Sequence, residues 1–211
     1  DLVLYFKNLK SLKYPLIAIV CDGNPLIPRA ARFVFGKQII VQRCTRHFLE
    51  DLRKLLPTEE DRKAERIQLE QLILRIKSVI ETDTLESAQY HLESLKRFSD
   101  SITGPLKQSM LNMFKRTKVE LTAHLLYPEL KLPHTSNDIE NLFKQLMQRL
   151  KTIGRFFHQT YAKNYLSAWA LLRRFTPFTD CRKGRRHRNK KSPLELAGCE
   201  IQNIDPMKLK R

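Results

Sequence analysis

The sequence predicts an α/β fold, interrupted by an all-helical insertion and closed by a basic C-terminal tail. Three observations carry this. Two short β-prone runs, 15–21 and 38–42, alternate with helical segments in the first 57 residues. Residues 58–132 then contain no convincing strand. Finally, Lys and Arg crowd the last part of the chain. The organisation that follows is 1–57 as the α/β part, 58–134 as the insertion, 135–176 as two further core helices and 177–211 as the tail.

Leu2, Leu4, Phe6, Leu9 and Leu12 space the apolar positions of a helix over 2–12. Pro15-Leu16-Ile17-Ala18-Ile19-Val20-Cys21 is a compact apolar run bounded by turn formers, the pattern of a buried strand. A helix over about 25–35 ends at Gly36, a C-cap residue. Gln38-Ile39-Ile40-Val41-Gln42 is the second strand, and a helix from Arg46 to Leu56 stops at Pro57. In the insertion, Ile67, Leu69, Leu72, Ile73, Ile76 and Ile80 form a helical stripe within 65–80. Two more helices, 85–98 and 102–114, are expected on either side of Ser99-Asp100-Ser101. Asn137 opens a helix whose Ile139, Leu142, Phe143, Leu146 and Leu150 share a face, and Gly154 ends it. The next helix covers about 159–175, with Tyr161, Tyr165, Ala168, Trp169 and Leu172 on one side, and Pro177 stops it.

At 211 residues the chain is long enough for one or two domains with a real core, and 42% hydrophobic content argues against disorder. No apolar run reaches membrane-spanning length. Cys21, Cys44, Cys181 and Cys199 are too few and too scattered for a disulfide framework, which fits a reducing cytosolic (nucleoid) or nuclear setting. The net charge is +17, and it is unevenly placed: residues 141–211 hold 17 Lys+Arg against 4 Asp+Glu. A basic half of this kind points to a polyanion partner, above all nucleic acid. Its bland counterpart is a solvated tail that only aids solubility.

Asp22 admits two readings. At the carboxyl end of a strand it can hold a metal ion, because open α/β sheets bind ligands there. As the first residue of Asp22-Gly23-Asn24-Pro25 it can equally serve a turn that leads into the next helix. Glu140 is also double. With Asn137 as N-cap it occupies N3 and completes a capping box. Yet it lies about 100° from Ile139 on the helix, beside the apolar stripe, where it can edge a cleft; Asp138 flanks the other side. Two carboxylates from different elements suit a hard divalent ion such as Mg²⁺ in phosphodiester chemistry. Cys44-x-x-His47 has the spacing of half a zinc site, with Cys181, His187 and Cys199 the scattered remaining donors. A buried thiol beside a hydrogen-bonded histidine, or a Cys–His nucleophile pair, satisfies the same spacing.

Taken in order, Ile19-Val20-Cys21-Asp22-Gly23, Phe33-Val34-Phe35, Gln42-Arg43-Cys44-Thr45-Arg46-His47 and Thr135-Ser136-Asn137-Asp138-Ile139-Glu140 resemble the DDE transposases of the Mutator-like type and their bacterial insertion-sequence relatives. The resemblance spans roughly residues 1–175. It implies a partial RNase H-like core and a metal-dependent DNA cleavage and strand-transfer reaction of a mobile element. It makes Asp22 the second acid and Glu140 the third, both ligands of Mg²⁺ or Mn²⁺, with Cys44 and His47 as the motif beside the active site. Tyr161-Ala162-Lys163-Asn164-Tyr165-Leu166 looks like the closing helix. DNA ends and target would be the partners, held by Arg149, Lys151 and Arg155 and by Arg182, Lys183, Arg185, Arg186, Arg188, Lys190 and Lys191 of the tail. A homo-oligomer would form the active complex, with no membrane partner. One departure stands out: the first acid belongs upstream of Asp22, and Asp1 opens a helix. The chain thus resembles the carboxyl-terminal part of a catalytic domain, expected to be inactive as given. A non-catalytic nucleic-acid-binding protein is the rival reading.

Overall fold

Pro15 decides where the sheet begins. It has no N–H to give a ladder, Lys13 takes a left-handed φ of 55°, and Leu16 N–H turns back to the Tyr14 carbonyl at 2.9 Å. In the computed structural model, strand β1 is therefore only Ala18–Cys21, shorter than the apolar run suggests. Helix α2 (Leu26–Phe35) follows, Gly36 at φ 100° ends it, and strand β2 (Ile40–Arg43) returns parallel to β1. The register pairs Ala18 with Ile40 and Cys21 with Arg43. Helix α1 (Leu2–Ser11) packs on α2 through Phe6, which meets Ala30, Ala31, Val34 and Ile39 in a small core.

The structure describes residues 1–179, 181, 183–196, 198–201 and 204, without the side chains of Asp61 and Lys183. These fall into two compact units, 1–143 and 144–211. The fold is mixed but dominated by helix: among the described residues the sheet consists of β1 and β2 alone. No described helix is long and apolar enough to cross a membrane.

Between 58 and 134 the described elements are all helical. Helices α3 (Thr45–Arg53), α4 (Lys63–Ile80), α5 (Leu85–Ser101), α6 (Pro105–Leu121) and α7 (Ala123–Leu126) follow β2. Helices α3 to α6 share one core, in which Phe48 and Leu52 of α3 meet Leu72, Ile76 and Ile80 of α4 and Met110 and Phe114 of α6. Ser99-Asp100-Ser101 does not separate two helices. Ser99 and Ser101 hydroxyls donate to the carbonyls of Lys96 and Phe98, both at 2.8 Å, so α5 runs through them. The break falls at Ile102–Gly104, where Gly104 adopts φ 120° and Pro105 takes the first helical position, which needs no N–H.

A polar tie crosses this core. Gln42 is fully buried on β2. Its amide donates to the carbonyls of Leu121, at 3.2 Å, and Arg43, at 3.0 Å. Its oxygen accepts the His124 N–H at 2.9 Å. The His124 ring stacks on His134 with centroids 3.8 Å apart, and its Nε2 lies 3.2 Å from the Thr82 carbonyl. Burial, then the neighbouring His134, pushes the His124 pKa below its ordinary value. The unfolded chain thus binds a proton at higher pH than the folded one. Stability should be complete above about pH 6.5 and decline as pH falls below it, by at most about 1.4 kcal/mol per pH unit from this group. Urea unfolding at pH 7.5 and 5.5 checks this, and His124→Gln should flatten the difference.

The second unit is described by itself. The C-terminal part of helix α8 (Asn137–Ile153) and helix α9 (Gln159–Phe175) belong to it. The basic segment forms a 3₁₀ turn, Lys183–Arg188, and the short helix α10 (Pro193–Leu196). Phe178 fastens it: its N–H donates to the Lys191 carbonyl and its carbonyl accepts the Lys190 N–H, both at 2.9 Å. Arg173 lies over the Phe178 ring, 4.8 Å from its centroid. Ser192 and Glu195 complete a capping box at α10.

Candidate functional site

The two strands end together. Cys44 N–H donates to the Cys21 carbonyl at 2.7 Å, so Asp22 and Cys44 are the next residues off the carboxyl ends of a parallel pair. The Asp22 carboxylate accepts the Asn24 N–H at 3.1 Å, and the Asn24 side chain accepts the Leu26 N–H at 3.0 Å. Between them Gly23 sits at φ 106° against the Arg43 guanidinium, where a Cβ would come within 2.9 Å of Nε. The turn reading of Asp22 to Pro25 is thus present in the structure, with Asp22 exposed at the strand end.

Cys44 is the N-cap of α3 and fully buried. His47 lies three residues on, one helical turn, hence on the same side. Helix α8 arrives beside them. Its first intrahelical acceptor is the Ser136 carbonyl, which takes the Ile139 and Glu140 N–H groups at 3.1 Å. Ser136 is therefore the cap in place of Asn137, and Glu140 is the fourth helical residue, not the third. In place of the expected capping box, Ser136 and Glu140 make other contacts. Ser136 N–H donates to Cys44 Sγ at 3.4 Å, and its hydroxyl donates to Glu140 Oε1 at 2.6 Å. Thr45 N–H donates to the His134 carbonyl at 2.9 Å, closing the seam between the two helix starts.

The result is one cluster: ligand atoms of Cys44, His47 and Glu140 all lie within 4.8 Å of one another, and no other such group occurs among the described residues. The Glu140 carboxylate is divided. Oε2 pairs with Arg46, which also reaches Glu50 at 3.5 Å. Oε1 takes the Ser136 hydroxyl and faces His47 Nδ1 at 3.8 Å. The Ser136 hydrogen bond, then Arg46, holds the Glu140 pKa below the usual range. For Cys44, burial raises the thiol pKa, but hydrogen-bonding groups of Ser136 and His47 outweigh it and bring it below its ordinary value. His47 Nδ1 is shielded from solvent and has no hydrogen-bond partner. Both helix starts also bring positive dipole ends, which favour anionic groups.

Asp22 is not a member of this cluster. Glu140 is the third potential donor beside Cys44 and His47. All four cysteines are free thiols. Arg149 and Lys151 are exposed on α8, and Arg155 lies over the Phe157 ring at 5.1 Å. Arg185, Arg186, Lys190 and Lys191 are exposed and Arg188 half-buried; Arg182 and the side chain of Lys183 lie outside the described residues. Sequence reasoning missed Arg46 and Ser136 as the partners of Glu140, and the Gln42–His124 tie. Both lie inside the quoted motifs; Arg46 reaches Glu140 across 94 residues, which no local pattern encodes, whereas Ser136 lies only four residues from it. No protein-family model, curated protein or solved structure matches this chain.

Proposed function

We propose that the chain is part of a DNA transposase of the DDE type, with a partial RNase H-like core, in which Asp22 and Glu140 are two of the acids. The observation that supports it is convergence. Segments that carry the resemblance, 94 residues apart at Arg46 and Glu140, meet at the carboxyl end of a parallel strand pair, after a helical insertion. Two helix N-termini and Arg46 make this an attractive place for a DNA phosphate. The exposed cations of the basic segment would contact DNA phosphates.

Mg²⁺, which the resemblance implies, prefers an octahedral set of oxygens. Around Glu140 stand the Ser136 hydroxyl, a thiol and an imidazole, and the carboxylate is already shared by Arg46 and Ser136. That set does not fit Mg²⁺.

One experiment separates catalysis from mere binding. In the full-length protein, divalent-cation-dependent nicking of element-end DNA should fall to background in Asp22→Asn and in Glu140→Gln, with DNA affinity unchanged. Replacing Arg185, Arg186, Lys190 and Lys191 by Ala should reduce the slope of log affinity against log salt by up to roughly 3.6, at about 0.9 per phosphate contact. Nicking that survives Asp22→Asn removes that residue from the reaction. Salt-dependent binding with no nicking favours the non-catalytic reading.

A further inference from the structure

We propose that Cys44 Sγ, His47 Nδ1 and Glu140 Oε1 form a site for one borderline transition-metal ion of the Zn²⁺ class, with the fourth position open. The inference stands on these three side chains and does not depend on the DNA reading.

The donor set comes first. One thiol, one imidazole and one carboxylate suit Zn²⁺ or Co²⁺ and not Mg²⁺ or Ca²⁺. Three protein ligands with a fourth position left for water or substrate is the arrangement of catalytic zinc sites. The spacing is compatible. A tetrahedral ion with bonds of about 2.0–2.3 Å holds neighbouring donors roughly 3.3–3.7 Å apart, and Nδ1 to Oε1 is 3.8 Å. The surroundings are arranged as outer partners of a metal would be. Ser136 touches two of these ligands, through its N–H on Cys44 and its hydroxyl on Glu140, while Arg46 engages the opposite carboxylate oxygen. Such partners fix ligand orientation and tune affinity. The His47 Nδ1 nitrogen is shielded from solvent, makes no hydrogen bond and faces Glu140 Oε1 at 3.8 Å. A divalent ion would satisfy that nitrogen and balance one thiolate and one carboxylate.

Co²⁺ is the probe. Full-length chain, stripped with chelator and kept reduced by a phosphine, is titrated with Co²⁺ alone and followed by absorbance. The expected result is one ion per chain, a near-ultraviolet sulfur-to-cobalt band and the visible bands of four-coordinate Co²⁺, all reversed by Zn²⁺ and not by millimolar Mg²⁺. The triple variant C21S/C181S/C199S, in which Cys44 is the sole thiol, should keep the sulfur band, and C44S should lose it. Glu140→Gln and His47→Gln should weaken binding by at least tenfold, and Ser136→Ala by about 10–100-fold. A triple variant without the sulfur band overturns the proposal even if C44S fails to fold, and so does a band that persists in folded C44S. DNA enters none of these readouts, so loss of the metal site and loss of the transposase reading are told apart.

Discussion

Phe48→Ala should lower the unfolding free energy by about 3–5 kcal/mol, the usual cost of emptying a buried aromatic site. Phe48 is completely buried in the core that α3 shares with the insertion. Its ring lies 6.4 Å from that of Phe114 on α6, and the Arg43 guanidinium covers it at 5.1 Å. The cavity would open on three elements at once, and none can close it without moving a strand or a long helix. Because Phe48 follows His47 on α3, the loss should also loosen the site. Denaturant unfolding followed by far-UV circular dichroism gives the free energy, and limited proteolysis within 58–134 should accelerate in parallel. Phe33→Ala is the control: Phe33 is 74% exposed on α2, so its removal should stay within about 0.5 kcal/mol. A Phe48 variant as stable as the Phe33 variant would mean that α3 and the insertion do not share a core.

The helices were legible because their determinants are local. Helix α9 has the predicted bounds, and α2 and α5 differ from theirs by a few residues at one end, since capping and 3.6-residue periodicity act over a turn or two. Burial was less legible. Leu4 and Leu12 of the first predicted helix, Ile67 of α4, and Ile139 and Phe143 of α8 all belong to predicted apolar stripes yet remain exposed. A stripe shows which face a helix would bury, not how far along its length another element covers it. The candidate site was legible in its members and not in its wiring. Cys44, His47 and Glu140 were each singled out, with Cys44 and His47 expected beside the acids; the structure brings Glu140 to them, and Asp22 lies outside that group. Ser136, not Asn137, caps α8, and its N–H donates to a sulfur 92 residues away, which no reading of the helix start alone contains. Gln42 looked like the last residue of an ordinary strand. Its burial depends on Leu121 and His124, some 80 residues on.

Gln42→Leu should cost about 2–4 kcal/mol and should also disturb the site, although Gln42 touches none of its members. The energy follows from removing a fully buried amide while leaving its partners in place. The Leu121 carbonyl and the His124 N–H lose a bond in a region without solvent, at about 1–3 kcal/mol for each group left unpaired. The positional effect follows from what the amide holds. His124 starts the segment that leaves the insertion, and its ring stacks on His134. The His134 carbonyl takes the Thr45 N–H at the start of α3, and two residues later Ser136 reaches Cys44 and Glu140. Gln42 is therefore one end of a chain of contacts that delivers Glu140 to Cys44 and His47 after a 90-residue excursion. Urea unfolding measures the first effect. The second is read as a fall in Co²⁺ affinity of the folded Gln42→Leu protein with its sulfur-to-cobalt band retained, because all three ligands remain and only their positioning is lost. Unchanged affinity in the folded variant would show that the seam between α3 and α8 positions Glu140 without help from the Gln42 tie.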